Sequence, residues 1–348
     1  MKAVKLKTPG LVAVEEVEQP QPGKGEVLLR VLAAGVCRTD LHIRHDPGQM
    51  TPAGTTLGHE IAGEVAALGE GVSDWGLGDR AVVHPCWACH NCPACRAGRE
   101  NACQGNGSRE VPPPTPGVSV NGGMASFAVV PASSLIAIGN LDPAFAAVLA
   151  DAGLAPYHSV RLVRDSLTPG TTAVVIGLGG LGQFAVQMLR IMTPARILAL
   201  DISDEALALA RPVADAVFRA DGAGVADEVL AITGGRGAEV VIDLVGTDQS
   251  LRLSASIVAP YGAIQAIGLS AGSVPFETDI VSSIGLPWGA TFMKPYSGSY
   301  RDLAEVIALA QEGRLTASIQ RFPLDDASLA FDLLEAGKVS GRAVLIPE

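Results

Sequence analysis

Six cysteines fall between positions 37 and 103, and four of them follow the pattern Cys89-x2-Cys92-x2-Cys95-x7-Cys103. Close Cys-x2-Cys steps let successive thiolates converge on one cation, and four thiolates complete a closed tetrahedral zinc shell. With no open position, such a metal is expected to brace a loop that carries little apolar core of its own. A frame shifted to Cys86, Cys89 and Cys92 leaves Cys95 spare, so Cys86 is read as a bystander. A second group has a different character. Cys37-Arg38-Thr39-Asp40-Leu41-His42 packs a thiol, a cation, a hydroxyl, a carboxylate and an imidazole into six residues. Gly58-His59-Glu60 follows, and Asp151 lies further on within Leu149-Ala150-Asp151-Ala152-Gly153-Leu154. A cysteine, a histidine and a carboxylate can supply three ligands of a zinc whose fourth position stays open, as Lewis-acid catalysis requires. Spacing alone leaves the choice among these residues open.

A third group points to a nucleotide. Val174-Val175-Ile176-Gly177-Leu178-Gly179-Gly180-Leu181-Gly182 is an apolar strand running into G-x-G-x-x-G at the head of an amphipathic segment. Glycines there permit a tight turn and close approach of a pyrophosphate to a helix N-terminus. Asp201 stands 19 residues after Gly182, at the end of the next strand-like segment, where a carboxylate accepts hydrogen bonds from the adenosine ribose. A carboxylate repels a 2'-phosphate and no arginine follows at once, which favours NAD over NADP.

These residues need elements to position them. Up to about residue 150 the chain reads as short strands, Glu26–Ala34 and Ile61–Val65 among them, separated by glycine-rich turns. From Thr172 the rhythm changes to alternation: Ala173–Ile176 as a buried strand, then Leu181, Phe184, Ala185, Met188, Leu189 and Met192 at helical spacing. Arg196–Leu200 is the next strand, Asp204–Ala210 the next helix, and Glu239–Asp243 a later strand. Such alternation implies a doubly wound parallel sheet. Residues 104–123 read as a surface loop, and the stretch from about 295 returns to mixed character. A length of 348 residues suits two domains, and 48% hydrophobic with 18% charged residues is a globular composition. A net charge of −11 argues against nucleic acid or acidic lipid as partner. No signal-peptide pattern or long apolar run is expected to target the chain to a membrane, so cytoplasmic residence with reduced cysteines is the expectation.

Taken together these motifs resemble the zinc-containing alcohol dehydrogenases of the medium-chain dehydrogenase/reductase family. Gly58-His59-Glu60-x2-Gly63-x5-Gly69-x2-Val72 is similar to that family's zinc signature, and the four-cysteine run to its structural-zinc lobe. The resemblance implies an α/β two-domain fold: a GroES-like β-rich catalytic domain over 1–152 and 295–348, with a Rossmann NAD-binding domain over 153–294. It implies about two zinc ions per chain, one catalytic and one structural. Cys37, His59 and Asp151 would hold the catalytic zinc. Glu60 would sit behind it, and Asp40 would accept from the other ring nitrogen of His59. Thr39 would touch the alcohol oxygen and His42 would pass its proton to water. Arg38 and Arg342 would bind pyrophosphate. An aspartate as third ligand resembles a bacterial subgroup acting on secondary alcohols and bulky ketones.

The expected reaction moves a hydride between NAD and an alcohol/ketone or aldehyde pair in the cleft between the domains, with closure on NAD. Trp87, Trp288, Phe292, Met293, Tyr296 and the 104–123 loop are candidates for an apolar pocket wall, favouring hydrophobic or aromatic secondary alcohols. A polyol or amino-alcohol dehydrogenase of the same fold is the alternative, and a non-enzymatic NAD- or zinc-binding protein a third reading. By analogy with relatives the chain would form a homo-oligomer, a tetramer rather than a dimer.

Overall fold

The computed structural model describes residues 1–45, 48, 51–273 and 286–348. The chain divides into two units, Met1–Leu154 with Ser297–Glu348, and Ala155–Tyr296.

The first unit is built on a seven-stranded mixed sheet. Its strands run in the order Ile319–Pro323, Arg342–Ile346, Glu26–Val36, Glu60–Leu68, Arg80–Val83 and Leu135–Ala137, with Phe127–Pro131 also paired to Glu26–Val36. The 11-residue strand Glu26–Val36 is central because its sequence, EVLLRVLAAGV, is apolar on both faces, and ten of its residues are either fully or partly sequestered. Leu29, Val31, Ile61, Val83, Phe331 and Leu345 belong to the core that this sheet covers. Register matters more than composition here. Gly35 pairs with Glu60 and Val36 pairs with Ala343, both antiparallel. The end of one strand, before Cys37, therefore lies beside the starts of two others, at Glu60 and Arg342. Residues far apart in the chain meet at the ends of the sheet's inner strands.

The second unit carries a six-stranded sheet in which every pairing is parallel, ordered Ala216–Arg219, Arg196–Asp201, Thr172–Ile176, Ala238–Asp243, Val258–Ala266, Thr291–Met293. In order of sequence this is 3-2-1-4-5-6, the doubly wound Rossmann arrangement. Thr172–Ile176 is buried along its whole length, as an all-parallel sheet covered on both faces requires. The helix Gly182–Met192 buries Phe184, Ala185, Met188 and Leu189, the residues that recur at helical spacing in the sequence. Segment 104–123 contains no strand or helix, in keeping with the loop expected there. Among the described residues no helix is long and apolar enough to cross a membrane.

Candidate functional site

Cys37 leaves the end of the central strand and is followed at once by the helix Arg38–His45. Asp40, in the first turn, accepts a 2.9 Å hydrogen bond from the Cys37 backbone N–H through Oδ2, so its side chain caps this helix. Its other oxygen does something further. Oδ1 lies 3.5 Å from His59 Nδ1, and the two atoms are buried without completing a hydrogen bond. One carboxylate thus bonds the Cys37 backbone and faces the His59 ring. On the far side of the ring, Nε2 lies 3.7 Å from Asp151 Oδ2, which is itself 3.4 Å from Cys37 Sγ.

Asp151 reaches this cluster from an unusual turn. Leu149–Gly153 is a π-helical stretch between two α-helical ones, Pro143–Val148 and Leu154–Val163. Such widened turns are rare and concentrate at functional sites. Leu149, Ala150, Ala152 and Gly153 are buried around Asp151, so packing fixes the turn. Ligand atoms from Cys37, His59, Glu60 and Asp151 all lie within 4.8 Å of one another. Thiolate, imidazole and carboxylate ligands at about 2.0–2.3 Å from a tetrahedral zinc stand roughly 3.3–3.8 Å apart, which matches the contacts of Asp151 with Cys37 and His59. Electrostatics agree. Burial opposes protonation of His59, but the Asp40 and Asp151 carboxylates outweigh it and hold its pKa well above the usual value. Burial and the Asp151 charge push the Cys37 thiol up. A buried cluster of anionic donors with orphaned polar atoms is one that a divalent cation fits.

Glu60 sits behind these groups and is fully buried. Its Oε1 accepts from Arg342 Nη2, a contact between residues 282 apart in sequence, while Oε2 is buried without a partner among the described residues. Burial pushes the Glu60 carboxyl up to about 7, with Arg342 pulling the other way. Gly35 makes the niche: a Cβ at that position would stand 1.8 Å from Glu60 Oε2. Arg342, expected on pyrophosphate, is only 4% exposed and is engaged by Glu60. Replacing Arg342 with leucine strands a buried acid, and urea unfolding is expected to register a loss of about 3 kcal/mol. A loss within about 0.5 kcal/mol, the range of an ordinary surface substitution, would show that Glu60 does not depend on it.

The four-cysteine run forms a separate group. Sγ–Sγ distances are 3.5 Å for Cys92 and Cys95, 4.0 Å for Cys89 and Cys95, and 4.0 Å for Cys92 and Cys103. The edge of a ZnS4 tetrahedron with bonds of about 2.3 Å is about 3.8 Å. All six cysteines are free thiols, so the cluster is not a disulfide pair. Backbone N–H groups of Cys92 and Asn106 point at the sulfurs of Cys89 and Cys103, at 3.3 and 3.4 Å. The amides of Cys95 and Gln104 draw the Cys92 thiol down to about 5. Cys86 belongs to neither metal-competent group among the described residues, and burial pushes its thiol up to about 12.

In the second unit the glycine-rich turn has three distinct glycines. Gly177 adopts φ +89°, a left-handed conformation that suits glycine. Gly182 starts the helix so close to the turn that a Cβ would lie 2.0 Å from the Gly177 carbonyl oxygen. At Gly179 a Cβ would meet nothing within 4 Å, leaving room for a ligand to approach the backbone. Gly180 and Leu181 continue the turn to the helix start, with Leu181 as its N-cap. Asp201 ends its strand and accepts from Leu178 N at 2.5 Å and Ser203 N at 2.8 Å, tying the turn to the neighbouring strand. This cradle fits a dinucleotide pyrophosphate.

The remaining expected residues lie on one helix. Thr39 is half-buried with Oγ1 3.8 Å from Cys37 Sγ, and Arg38 and His42 are exposed. Of the pocket-wall candidates, Trp87 packs against the first unit's core, Trp288 is 81% exposed, and Phe292 and Met293 lie on the sheet's edge strand. Sequence reasoning missed Gly35 and the π-helical turn. A glycine inside an apolar strand signals a close approach, and Leu-Ala-Ala-Gly-Val carried that signal. No local pattern announces the turn.

Comparison with known proteins agrees with the two-domain fold. Residues 23–140 match the alcohol dehydrogenase GroES-like domain, and residues 180–312 match the zinc-binding dehydrogenase domain. The chain is 32% identical to an NAD-dependent alcohol dehydrogenase of Sulfurisphaera tokodaii, covering 100% of this chain and 99% of that one. Its structure is similar to that of the alcohol dehydrogenase from Aeropyrum pernix, with a TM-score of 0.91, 33% identity and full coverage of both chains. It is also similar to an acetophenone reductase from Geotrichum candidum solved with NAD, with a TM-score of 0.86, 28% identity, and coverage of 99% and 96%. With the GroES-like and Rossmann units, the two metal-competent clusters and these full-length likenesses in agreement, the chain belongs to the zinc-containing alcohol dehydrogenases of the medium-chain dehydrogenase/reductase family.

Proposed function

We propose that this enzyme transfers a hydride between NAD and an alcohol/ketone or aldehyde pair, with Cys37, His59 and Asp151 holding a catalytic zinc and Cys89, Cys92, Cys95 and Cys103 a structural one. The carrying observation is the buried group of thiol, imidazole and carboxylates within 4.8 Å of one another. When bound, zinc supplies Lewis acidity that makes an alcohol oxygen acidic near neutral pH and a carbonyl electrophilic, and NAD supplies the hydride acceptor.

The chain's own residues do the rest. Asp40 holds the His59 ring and, through its bond to the Cys37 backbone, keeps both donors in place. Thr39 would accept a hydrogen bond from the substrate hydroxyl while giving up its own proton through the cofactor's ribose hydroxyl toward His42. His42, three residues further along the same helix and exposed, delivers it to water. Glu60, restrained by Arg342 and Gly35, is a carboxylate in reserve behind the donors. Arg38, exposed on the same helix, offers a guanidinium to the pyrophosphate. Arg342, also expected on the pyrophosphate, is buried against Glu60, and its role here is to hold that carboxylate.

Gly177, Gly179 and Gly182 shape the pyrophosphate seat, and Asp201 accepts from the adenosine ribose. Asp201→Ala is expected to weaken NAD binding by about tenfold, because the ribose hydroxyls lose a charged acceptor, while kcat changes much less. Steady-state kinetics separate the two effects. Equal losses in both would contradict a ground-state binding role.

The preferred substrates are hydrophobic or aromatic secondary alcohols, as in a bacterial secondary-alcohol subgroup. The likeness to an acetophenone reductase supports this class. The catalytic part spans 1–152 and 295–348, and the NAD-binding part 153–294. Cytoplasmic residence is the expected setting, where the thiols of both proposed zinc sites stay reduced. The exposed edge strand Thr291–Met293, with Phe292 45% and Met293 43% exposed, supports a homo-oligomer, and a tetramer rather than a dimer follows only by analogy with relatives.

The test is NADH absorbance with 1-phenylethanol, sorbitol and threonine, run in parallel with NAD and NADP. The highest kcat/KM should belong to 1-phenylethanol with NAD. A preference for sorbitol or threonine would move the enzyme to the polyol or amino-alcohol class, and NADH formed without turnover would end the enzymatic reading.

A further inference from the structure

Asp243 is fully buried at the end of the strand Ala238–Asp243. A carboxylate in that position needs a reason, because burying one is costly unless its oxygens are used. Oδ1 accepts from two backbone N–H groups, Val245 at 2.8 Å and Gly246 at 3.0 Å. The Asp243 carbonyl oxygen accepts from two more, Ile267 at 2.8 Å and Gly268 at 3.1 Å. One residue therefore gathers the loops that follow two neighbouring strands.

Those loops are pressed together. A Cβ on Gly246 would stand 2.3 Å from the Gly268 carbonyl oxygen, and one on Gly268 would stand 2.1 Å from the Val245 carbonyl carbon. The pair also abuts the glycine-rich turn. A Cβ on Gly177 would lie 2.7 Å from Val245 Cγ2, and Leu244 N donates to Ile176 O at 2.9 Å. Asp243 pairs in register with Ile176, and on the other side of that strand Ile176 pairs with Leu200, next to Asp201. The sheet order reverses between Thr172–Ile176 and Ala238–Asp243, and that is where a doubly wound sheet takes its dinucleotide. Asp201 and Asp243 thus stand on opposite sides of the pyrophosphate turn.

We propose that Asp243 is a positioning residue for the nicotinamide half of the cofactor: by clamping Val245–Gly246 onto Ile267–Gly268, it forms the rim that meets the nicotinamide ribose, across the turn from the adenosine ribose at Asp201. This rests on the NAD-binding reading above. The rim acts through backbone groups, so it must be rigid before the ligand arrives, and Asp243 supplies that rigidity through four amide contacts. Its second oxygen, Oδ2, is buried without a partner among the described residues, so Oδ1 carries the side chain's part of the clamp.

The experiment measures binding of NADH and of AMP, the adenosine half alone, to the full-length wild type and to Asp243→Ala, Asp243→Asn and Gly268→Ala. Wild type should bind both, and failure to bind NADH would sink the NAD reading itself rather than this one. In Asp243→Ala two amides lose their acceptor, and NADH affinity should fall about tenfold or more while AMP affinity stays within about twofold. Asp243→Asn keeps an amide oxygen for the same two N–H groups and should restore most of the NADH affinity. Should Asp243→Ala not fold, Gly268→Ala decides, since its new methyl would wedge the two loops apart and produce the same selective loss. An equal loss of NADH and AMP affinity in a folded variant, or unchanged NADH affinity, would overturn the proposal.

Discussion

Cys37→Ser is expected to lower kcat/KM by on the order of 10³-fold or more while leaving a folded protein that still holds one zinc. The size follows from what Cys37 does. In the proposed site its thiolate is one of three zinc donors, and a serine hydroxyl is neither anionic near neutral pH nor soft enough to replace it. Loss of the metal removes several kcal/mol of charge stabilisation from the transition state. The fold should survive because the cavity is small and Asp40 Oδ2 bonds the Cys37 backbone N–H, which serine retains. The measurement pairs initial rates with metal content and circular dichroism. Full activity in a variant with half the zinc would remove Cys37 from the donor set. Inactivity with both metals retained would assign it a different role.

Cys103→Ser should act on stability rather than on chemistry. Cys103 is 1% exposed, and its sulfur receives N–H groups from Cys89 and Asn106. The surrounding segment has little secondary structure to fall back on: only Pro93–Arg96 and Glu100–Ala102 are helical between Arg80–Val83 and Phe127–Pro131. The proposed tetrathiolate zinc would therefore be the main cross-link of this lobe, and breaking its shell should release the ion and loosen residues 87–113. The zinc-binding energy of comparable small sites is about 10–16 kcal/mol, so the lobe should become sensitive to limited proteolysis and the melting temperature should fall by several degrees. The second zinc should remain. A variant that keeps both ions and its melting temperature would show that the lobe is braced by packing alone.

Legibility in the sequence tracked how local each constraint was. The glycine-rich turn was readable because its needs, a left-handed residue at Gly177 and a close helix start at Gly182, are met within six residues. The four-cysteine lobe was readable for the same reason, since thiolate convergence is set by short spacings. The alternating strands and helices of the second unit followed from runs such as Thr172–Ile176, whose burial leaves little choice of conformation. The catalytic cluster was different. Cys37 and Asp151 are 114 residues apart, and Glu60 and Arg342 are 282 apart. Their meeting depends on strand register and on a π-helical turn, neither of which leaves a local pattern. The resemblance to a known family supplied the donor set that spacing left open. Arg342 illustrates the remaining gap: a phosphate-binding role fits an arginine in the abstract, whereas its burial against Glu60 arises from pairing between distant strands.

The site also shows one residue serving two levels of structure at once. Asp40 could be read as a helix cap or as the partner of a metal-binding imidazole, and its two oxygens divide those tasks. Such sharing couples the start of the helix carrying Thr39 and His42 to the donor set, so the groups expected to move the proton are registered against the groups expected to hold the metal.

Metal analysis of the purified wild-type chain tests the central claim most directly. Occupation of the Cys37, His59 and Asp151 cluster together with the four-cysteine lobe predicts about two zinc ions per chain. One ion or none in fully active enzyme would contradict it.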